Sequence, residues 1–269
     1  MPKKLKWGLI ISLTFLLSII GLGLITQLHT DQASHVITGQ KRPLIMIAGS
    51  NSRREDFDQL IKTLDATQPH PVINVTVAKD LSVSATSTRV KNTQLNDTLV
   101  VIFFENSADT NDTIIDQTKG LANAMRYLVK HYKFTTANAL GYSNGGLIFS
   151  RYAAGLATDK PFPIHDLMLI GTPFLGTSAK QPDDSLYKPL LANKAHFKAL
   201  HTVINIAGDA GDGDDHVVPL SSVTAGSKLF MNEVTRYNAM TINQKDISHG
   251  DLLQENYLAR LVKQNLLNQ

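Results

Sequence analysis

A serine framed by glycines is the clearest chemical signal in this sequence. Residues 141–146 read Gly-Tyr-Ser-Asn-Gly-Gly, which places Ser143 in the pattern G-x-S-x-G. The motif follows the apolar run 137–142 and opens the helix-like run 145–156. A strand, a tight turn and a helix in that order are the setting of an exposed nucleophilic serine, and the glycines allow the turn. The sequence therefore predicts that Ser143 is a nucleophile, with an ordinary turn and a helix-capping serine as the alternative.

A serine hydroxyl is a weak nucleophile until a base takes its proton, and a third group must hold that base in the correct tautomer. Among nine histidines, His249 lies after the last apolar run of strand length and just before the C-terminal helical pattern. We predict His249 as the base, and a role in capping the last helix is the alternative. His196, His201 and His216 are weaker candidates for the base.

An aspartate-rich loop supplies the candidates for the third group. It runs from residue 208 to residue 219 and contains Asp209, Asp212, Asp214 and Asp215. We predict Asp215, because the short apolar turn that follows it could fix its carboxylate towards the histidine; Asp209 is the alternative. Calcium binding by this loop is a weaker hypothesis, since the spacing matches no EF-hand.

Attack on a carbonyl also needs hydrogen-bond donors for the oxygen that becomes negatively charged. In the strand, turn and helix arrangement, one donor is the backbone N–H of the residue after the nucleophile, which is Asn144 here. The second donor comes from the loop after the first strand. In that loop, residues 48–52, we predict the backbone N–H of Ser50, with Asn51 as the alternative, and we assign no role to their side chains.

The elements that must position these residues follow an α/β pattern. Apolar runs of strand length alternate with segments of helical period, which indicates a mostly parallel sheet flanked by helices. The strand predictions are residues 43–48, 72–78, 99–104, 137–142, 167–170, 203–207 and 238–242. The helix predictions are residues 56–64, 113–131, 145–156, 184–200 and 251–267.

The sequence resembles the α/β-hydrolases, and more narrowly the lipase-like cell-surface hydrolases of Gram-positive bacteria. The resemblance rests on the chain order of the three catalytic candidates, on the loop 47–52 (IAGSNS) and on the segment 170–176 (IGTPFLG), and it covers residues 43–267. Family members commonly carry His-Gly where this chain has Ala48-Gly49. The resemblance implies hydrolysis of carboxylic esters by a serine esterase with a catalytic triad, without a metal or an organic cofactor.

The N-terminal residues have a different character. Residues 7–26 form an uncharged stretch of twenty residues, about 30 Å long as a helix, which matches the hydrocarbon core of a bilayer. The sequence predicts that residues 1–30 are a membrane anchor or a cleaved signal segment and that residues 31–269 form one hydrolase domain. Within that domain, residues 173–200 are predicted to be a lid or insertion over the site, or a plain connecting helix.

Charge and composition narrow the function further. Lys3, Lys4 and Lys6 account for the whole formal net charge of +3, so the rest of the chain offers no basic surface typical of nucleic-acid binding. Cysteine is absent, which excludes disulfides. We predict an extracytoplasmic serine hydrolase, anchored or secreted, that acts on small-molecule or lipid esters. The alternative is a catalytically inert hydrolase-like protein that serves as a surface binding protein or scaffold; the oligomeric state stays open.

Overall fold

The computed structural model describes residues 42–66, 69–88, 98–158, 160–254 and 256–267. The predicted membrane anchor or signal segment lies outside these residues. Among the described helices, none is both long enough and apolar enough to cross a bilayer.

A single mixed sheet organises the described part of the chain. Its eight strands lie in the order β3-β2-β4-β1-β5-β6-β7-β8. All neighbouring strands are parallel except β3, which is antiparallel to β2. The strands are β1 (Leu44–Ile47), β2 (Val72–Val77), β3 (Val83–Thr88), β4 (Leu99–Phe104), β5 (Ala137–Tyr142), β6 (Ile164–Ile170), β7 (Thr202–Asp209) and β8 (Arg236–Asn243). The predicted fold class, a mostly parallel sheet flanked by helices, is confirmed.

Helices cover the two faces of the sheet, and this explains the continuous apolar character of its central strands. They are α1 (Asp58–Leu64), α2 (Asn111–Tyr132), α3 (Asn144–Ala153), α4 (Tyr187–Ala192), α5 (Leu220–Thr224), α6 (Ser227–Phe230) and α7 (Asn256–Asn265). On one face, Leu44 and Met46 of β1 pack in a cluster with residues of α1 and α7. Successive strand residues point to opposite faces, so Ile45 and Ile47, which are also buried, face the other layer.

Several elements differ from the sequence-based prediction, which did not include β3 or the short helices α5 and α6. Strand β3 was not predicted, because it is an edge strand whose residues, VSATST, are mostly polar and are exposed or half-buried. The helix predicted at 184–200 is divided into α4 and a 3₁₀ helix, Lys194–Ala199. The helix predicted at 251–267 is likewise divided into a 3₁₀ helix, His249–Leu253, and α7.

The topology brings distant parts of the sequence to one edge of the sheet. Because β1, β5, β6 and β7 are parallel, the loops that follow them all leave from the same edge. In α/β proteins, the carboxyl ends of parallel strands are where sites form. Ser50, Ser143 and the aspartate-rich loop 208–219 all follow such strand ends, as does the turn that carries His249 after β8.

Candidate active site

Ser143 occupies a strained turn between β5 and α3. Its backbone has φ 55° and ψ −129°, a conformation that a residue with a side chain rarely adopts. The turn is held in place because the N–H of Ser143 donates to the carbonyl oxygen of Ile170, at 2.8 Å, and its own carbonyl accepts from the N–H of Gly146, at 2.9 Å. The side chain is left partly accessible at the edge of the sheet.

The glycines around Ser143 are required by close approaches of the backbone. A Cβ atom on Gly145 would lie 2.2 Å from the carbonyl oxygen of Ile47 at the end of β1. One on Gly141 would lie 2.6 Å from the Cα of Gly146, and one on Gly49 would lie 2.7 Å from the Cβ of Ser143. The motif is therefore explained by packing as well as by the turn, and the loop after β1 passes directly against Ser143.

His249 and Asp215 form a buried pair. The Nδ1 atom of His249 lies 2.7 Å from Oδ2 of Asp215, whose residue is fully buried. The other carboxylate oxygen accepts from the backbone N–H groups of Val217, at 3.2 Å, and Val218, at 2.7 Å. Since an ionised carboxylate only accepts, the proton of the neutral imidazole lies on Nδ1 and the lone pair lies on Nε2. This is the tautomer that a general base needs.

Asp209, the alternative acid, has different partners. Its Oδ1 accepts from the backbone N–H groups of Gly211, at 2.8 Å, and Gly213, at 3.0 Å. These two hydrogen bonds lower the pKa of Asp209 from its ordinary value. The carboxylate therefore stabilises the turn of its own loop, and Asp215 is the aspartate that the structure pairs with His249.

Tyr142, to which the sequence assigned no role, holds the imidazole from one side. The two rings stack with their centroids 4.8 Å apart, and the phenol donates to the backbone carbonyl of His249 at 3.1 Å. Burial raises the pKa of Tyr142, and the nearby charge of Asp215 adds to the effect, so the phenol keeps its proton. Its position beside Ser143 in the chain was the only signal that could have identified it.

The turn that carries His249 begins with a capping box. The Ser248 hydroxyl and backbone N–H both donate to Oδ2 of Asp251, at 2.6 and 2.9 Å. These hydrogen bonds lower the pKa of Asp251. His249 thus stands at the start of a short 3₁₀ helix whose first turn is fixed by the capping box.

The imidazole Nε2 is the one free polar atom of the pair. It is buried and makes no hydrogen bond to any group in the described part of the chain. The hydroxyl of Ser143 is therefore not hydrogen-bonded to His249 in this structure. Catalytic hydrogen bonds are often long or poorly aligned before substrate binds, and a serine and a histidine can form a catalytic pair without being hydrogen-bonded in the free protein.

The two residues predicted to supply the oxyanion donors are in contact through their side chains. The Nδ2 atom of Asn144 donates to the hydroxyl oxygen of Ser50 at 2.7 Å, which joins the loop after β1 to the start of α3. The backbone N–H of Asn51 donates to the carbonyl of Ser107 at 2.6 Å, so it is already occupied. Of the two residues considered for the second donor, Ser50 is the one whose backbone N–H makes no hydrogen bond within the described ranges.

The other histidines have other surroundings. His201 lies near Asp166, at 3.4 Å, and stacks on His165 where β6 and β7 begin, at the opposite edge of the sheet. His196 contacts Asn193 on the surface, and His216 is exposed. Two clusters among the described residues could offer ligands to a metal ion. They are His165-Asp166-His201 and Asp212-Asp214-His216, and neither contains Asp215 or His249.

A cavity of about 210 Å³, lined by both polar and apolar side chains, lies against Asn144, the residue that follows Ser143. Asn144 and Leu147 of α3 line one side, and Asp109 and Asn111 at the start of α2 line another. The remaining wall comes from residues 173–186. The segment predicted as a lid, an insertion or a connecting helix is residues 173–200. Its later part packs into the protein interior, since Leu190 and Phe197 are fully buried. The lid remains a prediction.

Gly171 fixes how closely β6 approaches the base, and we expect its replacement to disturb the site. A Cβ atom there would lie 2.6 Å from Cε1 and 3.0 Å from Nδ1 of His249, and the backbone has φ +55°. Gly171→Ala should therefore displace the imidazole and lower kcat/KM for an ester substrate by about 10²-fold, the cost of a displacement near 1 Å. Steady-state kinetics measures this.

Gly211→Ala is the matched control for Gly171→Ala. Gly211 also has a positive φ, +114°, but a Cβ atom there would have nothing within 4 Å. Gly211→Ala therefore strains the backbone, but its new methyl group does not contact His249. Equal activity in the two variants would contradict a steric role for Gly171.

Comparison with known proteins agrees with the fold. Residues 31–269 match the model of the family described as alpha/beta hydrolase of unknown function (DUF915). No curated protein sequence matches the chain.

Solved structures give the same assignment. One is described as a candidate cell surface hydrolase from Lactobacillus plantarum; it is 30% identical, with a TM-score of 0.73, over 86% of this chain and 94% of that one. A gene product of Listeria innocua is 23% identical, with a TM-score of 0.71, over 83% and 93% of the two chains. A lipase-esterase related protein from Clostridium acetobutylicum shares the fold at 12% identity and a TM-score of 0.51, over 85% and 96%. The chain belongs to the DUF915 family of α/β hydrolases.

Proposed function

We propose that this α/β hydrolase is a serine esterase in which Ser143, His249 and Asp215 form the catalytic triad. The observation that carries the proposal is the buried His249 and Asp215 pair, whose free Nε2 atom lies at the sheet edge that also holds the strained turn of Ser143. An unpaired buried nitrogen costs free energy unless it gains a partner. A serine hydroxyl is the partner that such a site would use.

The reaction begins when the side chain of Ser143 turns so that its hydroxyl donates to Nε2 of His249. His249 takes this proton as Oγ of Ser143 attacks the ester carbonyl, and Asp215 stabilises the imidazolium through Nδ1. The imidazolium then gives its proton to the leaving alcohol, and the acyl group stays on Ser143. A water molecule, activated by the same imidazole, releases the acid and restores the serine.

Developing charge on the carbonyl oxygen is met by backbone donors. The N–H of Asn144 lies at the first position of α3, where helix N–H groups have no partner within the helix. The N–H of Ser50 is the second donor. One well-placed donor of this kind contributes about 2.7 to 4 kcal/mol to transition-state stabilisation.

The cavity indicates a short or polar acyl or alcohol group rather than a long alkyl chain. Asp109, Asn111, Gln181 and Asp183 lie in its walls, and hydrogen bonds from Asn111 and Ser185 lower the pKa of Asp183, so that carboxylate stays charged. A long alkyl chain would remove water from these groups without replacing its hydrogen bonds, which is unfavourable.

We also propose that the enzyme acts outside the cytoplasm, held by its N-terminal segment or released after cleavage. The apolar stretch 7–26 with lysines before it supports export, since positive residues stay on the cytoplasmic side. The relative from Lactobacillus plantarum, described as a candidate cell surface hydrolase, supports the same location.

A series of p-nitrophenyl esters tests the proposed function. We expect hydrolysis of the acetate and the butyrate, with kcat/KM falling at least about tenfold by the decanoate, a difference of about 1.4 kcal/mol. Activity that rises with chain length would contradict the substrate preference. Failure to hydrolyse any member of the series, with folded protein, would favour the inert binding or scaffold protein.

A further inference from the structure

Asn144 makes a side-chain link between two loops that the proposed mechanism leaves without a role. We infer that the hydroxyl of Ser50 is a third donor to the oxyanion, and that Asn144 and Asp109 hold it in position. The inference rests on the proposed esterase function. It goes beyond that proposal because it assigns chemistry to a side chain, whereas the two donors above are backbone groups.

The direction of the hydrogen bonds follows from the chemistry of the partners. The Nδ2 atom of Asn144 lies 2.8 Å from Oδ1 of Asp109 and 2.7 Å from Oγ of Ser50. A carboxylate only accepts, so the nitrogen and not the oxygen of the amide must face Asp109. The same nitrogen therefore donates to Ser50, and the hydroxyl oxygen of Ser50 is an acceptor.

This leaves the proton of the Ser50 hydroxyl available. A hydroxyl that accepts one hydrogen bond can still donate its own proton. Across the described ranges, this proton has no acceptor in the protein. A negatively charged oxygen on the substrate is the acceptor that would use it best, because hydrogen bonds to ionised groups are the stronger ones.

The location of Ser50 suits that role. Gly49, the preceding residue, is in such close contact with Ser143 that a Cβ atom on it would lie 3.0 Å from Oγ of Ser143. Ser50 itself is half-buried.

The link to Asp109 explains why the donor would be held in advance of the reaction. Asn144 is 7% exposed, so it is nearly removed from water, and its side-chain Nδ2 donates both of its hydrogens, to Ser50 and to Asp109. The negative charge of Asp109 fixes the amide and polarises it towards Ser50. Donors that are already oriented cost no reorganisation in the transition state. Asp109 and the side chain of Asn144 therefore act as positioning groups, while Ser50 contacts the reacting oxygen.

Substitution of Ser50 tests the inference. Ser50→Ala should lower kcat for p-nitrophenyl butyrate by about 10- to 100-fold with little change in KM, since the hydroxyl acts on the transition state. Ser50→Thr, which keeps the hydroxyl, should retain most of the activity. A trifluoromethyl ketone, which binds a serine as a charged adduct, should lose affinity for Ser50→Ala by a factor similar to the loss in kcat/KM.

A double-mutant cycle separates this role from a structural one. Asp109 is exposed, so Asp109→Ala should fold; alone it should lower kcat about threefold to tenfold, but after Ser50→Ala it should have less than about a twofold effect. Ser52→Ala, in the same loop and without a side-chain hydrogen bond in the described structure, is the matched control and should keep full activity.

The outcomes distinguish this inference from the proposed function. Ester hydrolysis that depends on Ser143 but stays within about twofold in Ser50→Ala would overturn the inference alone. Equal losses in Ser50→Ala and Ser50→Thr, or independent effects of Ser50 and Asp109, would do the same. A wild-type protein that hydrolyses no ester would overturn both.

Discussion

Replacing Ser143 with alanine is expected to lower kcat for p-nitrophenyl butyrate by about 10⁴- to 10⁶-fold, the loss seen when a catalytic serine is removed from a triad. The reason is that the proposed nucleophile is the hydroxyl of Ser143, which is held in a strained turn against the loop after β1. Covalent labelling by a fluorophosphonate should disappear in the same variant. Kinetics and mass spectrometry of the labelled peptide measure the two effects.

The control for this substitution is Ser84→Ala. Ser84 is exposed on β3, at the far edge of the sheet, so the variant should keep the wild-type rate and label. Ser143→Ala with wild-type turnover, or a fluorophosphonate adduct on another serine, would remove Ser143 from the mechanism.

Asp215→Asn should lower kcat by about 10⁴-fold while leaving the structure intact, as for an aspartate that sets the tautomer of a catalytic histidine. Oδ1 of Asp215 accepts from the N–H groups of Val217 and Val218, so the oxygen of an asparagine must take that position. The amide nitrogen would then face Nδ1 of His249 and donate to it. The imidazole proton would move to Nε2, and the histidine could no longer accept the proton of Ser143.

Asp209→Asn is the matched control for Asp215→Asn. Its amide oxygen can still accept from Gly211 and Gly213, so we expect activity within about threefold of wild type, as for substitutions away from the reacting groups. A larger loss in Asp209→Asn than in Asp215→Asn would reverse the assignment of the acid. ¹⁵N NMR of the His249 ring would report the tautomer directly.

Strands and turns could be predicted from the sequence where the local residue pattern matches the burial that the fold gives them. The runs that became β1 and β4 are apolar throughout because both faces of those strands are covered, and this made the sheet predictable. Strand β3 could not be predicted in the same way, since an exposed edge strand needs few apolar residues. The strand, turn and helix around Ser143 could be predicted from one short motif, because close backbone contacts within that turn require its glycines.

Contacts between distant segments were not predictable from the sequence. The choice between Asp209 and Asp215 depends on which carboxylate the loop turns inward, and four aspartates in one loop give no pattern for that. Asp109 carried no motif, although its position after a strand end was a weak signal. Gly171 was visible as part of a turn, but its contact with His249 depends on how β6 and the last turn of the chain pack together.

The capping box formed by Ser248 and Asp251 should stay intact in mild acid. Because hydrogen bonds from Ser248 lower the pKa of Asp251 in the folded state, the stabilisation from the capping box is present above the ordinary pKa of an aspartate. It is lost only as pH falls through the still lower pKa of the folded state. The 3₁₀ helix that carries His249 should therefore keep its capping box at about pH 5, so a loss of activity there would not come from protonation of Asp251.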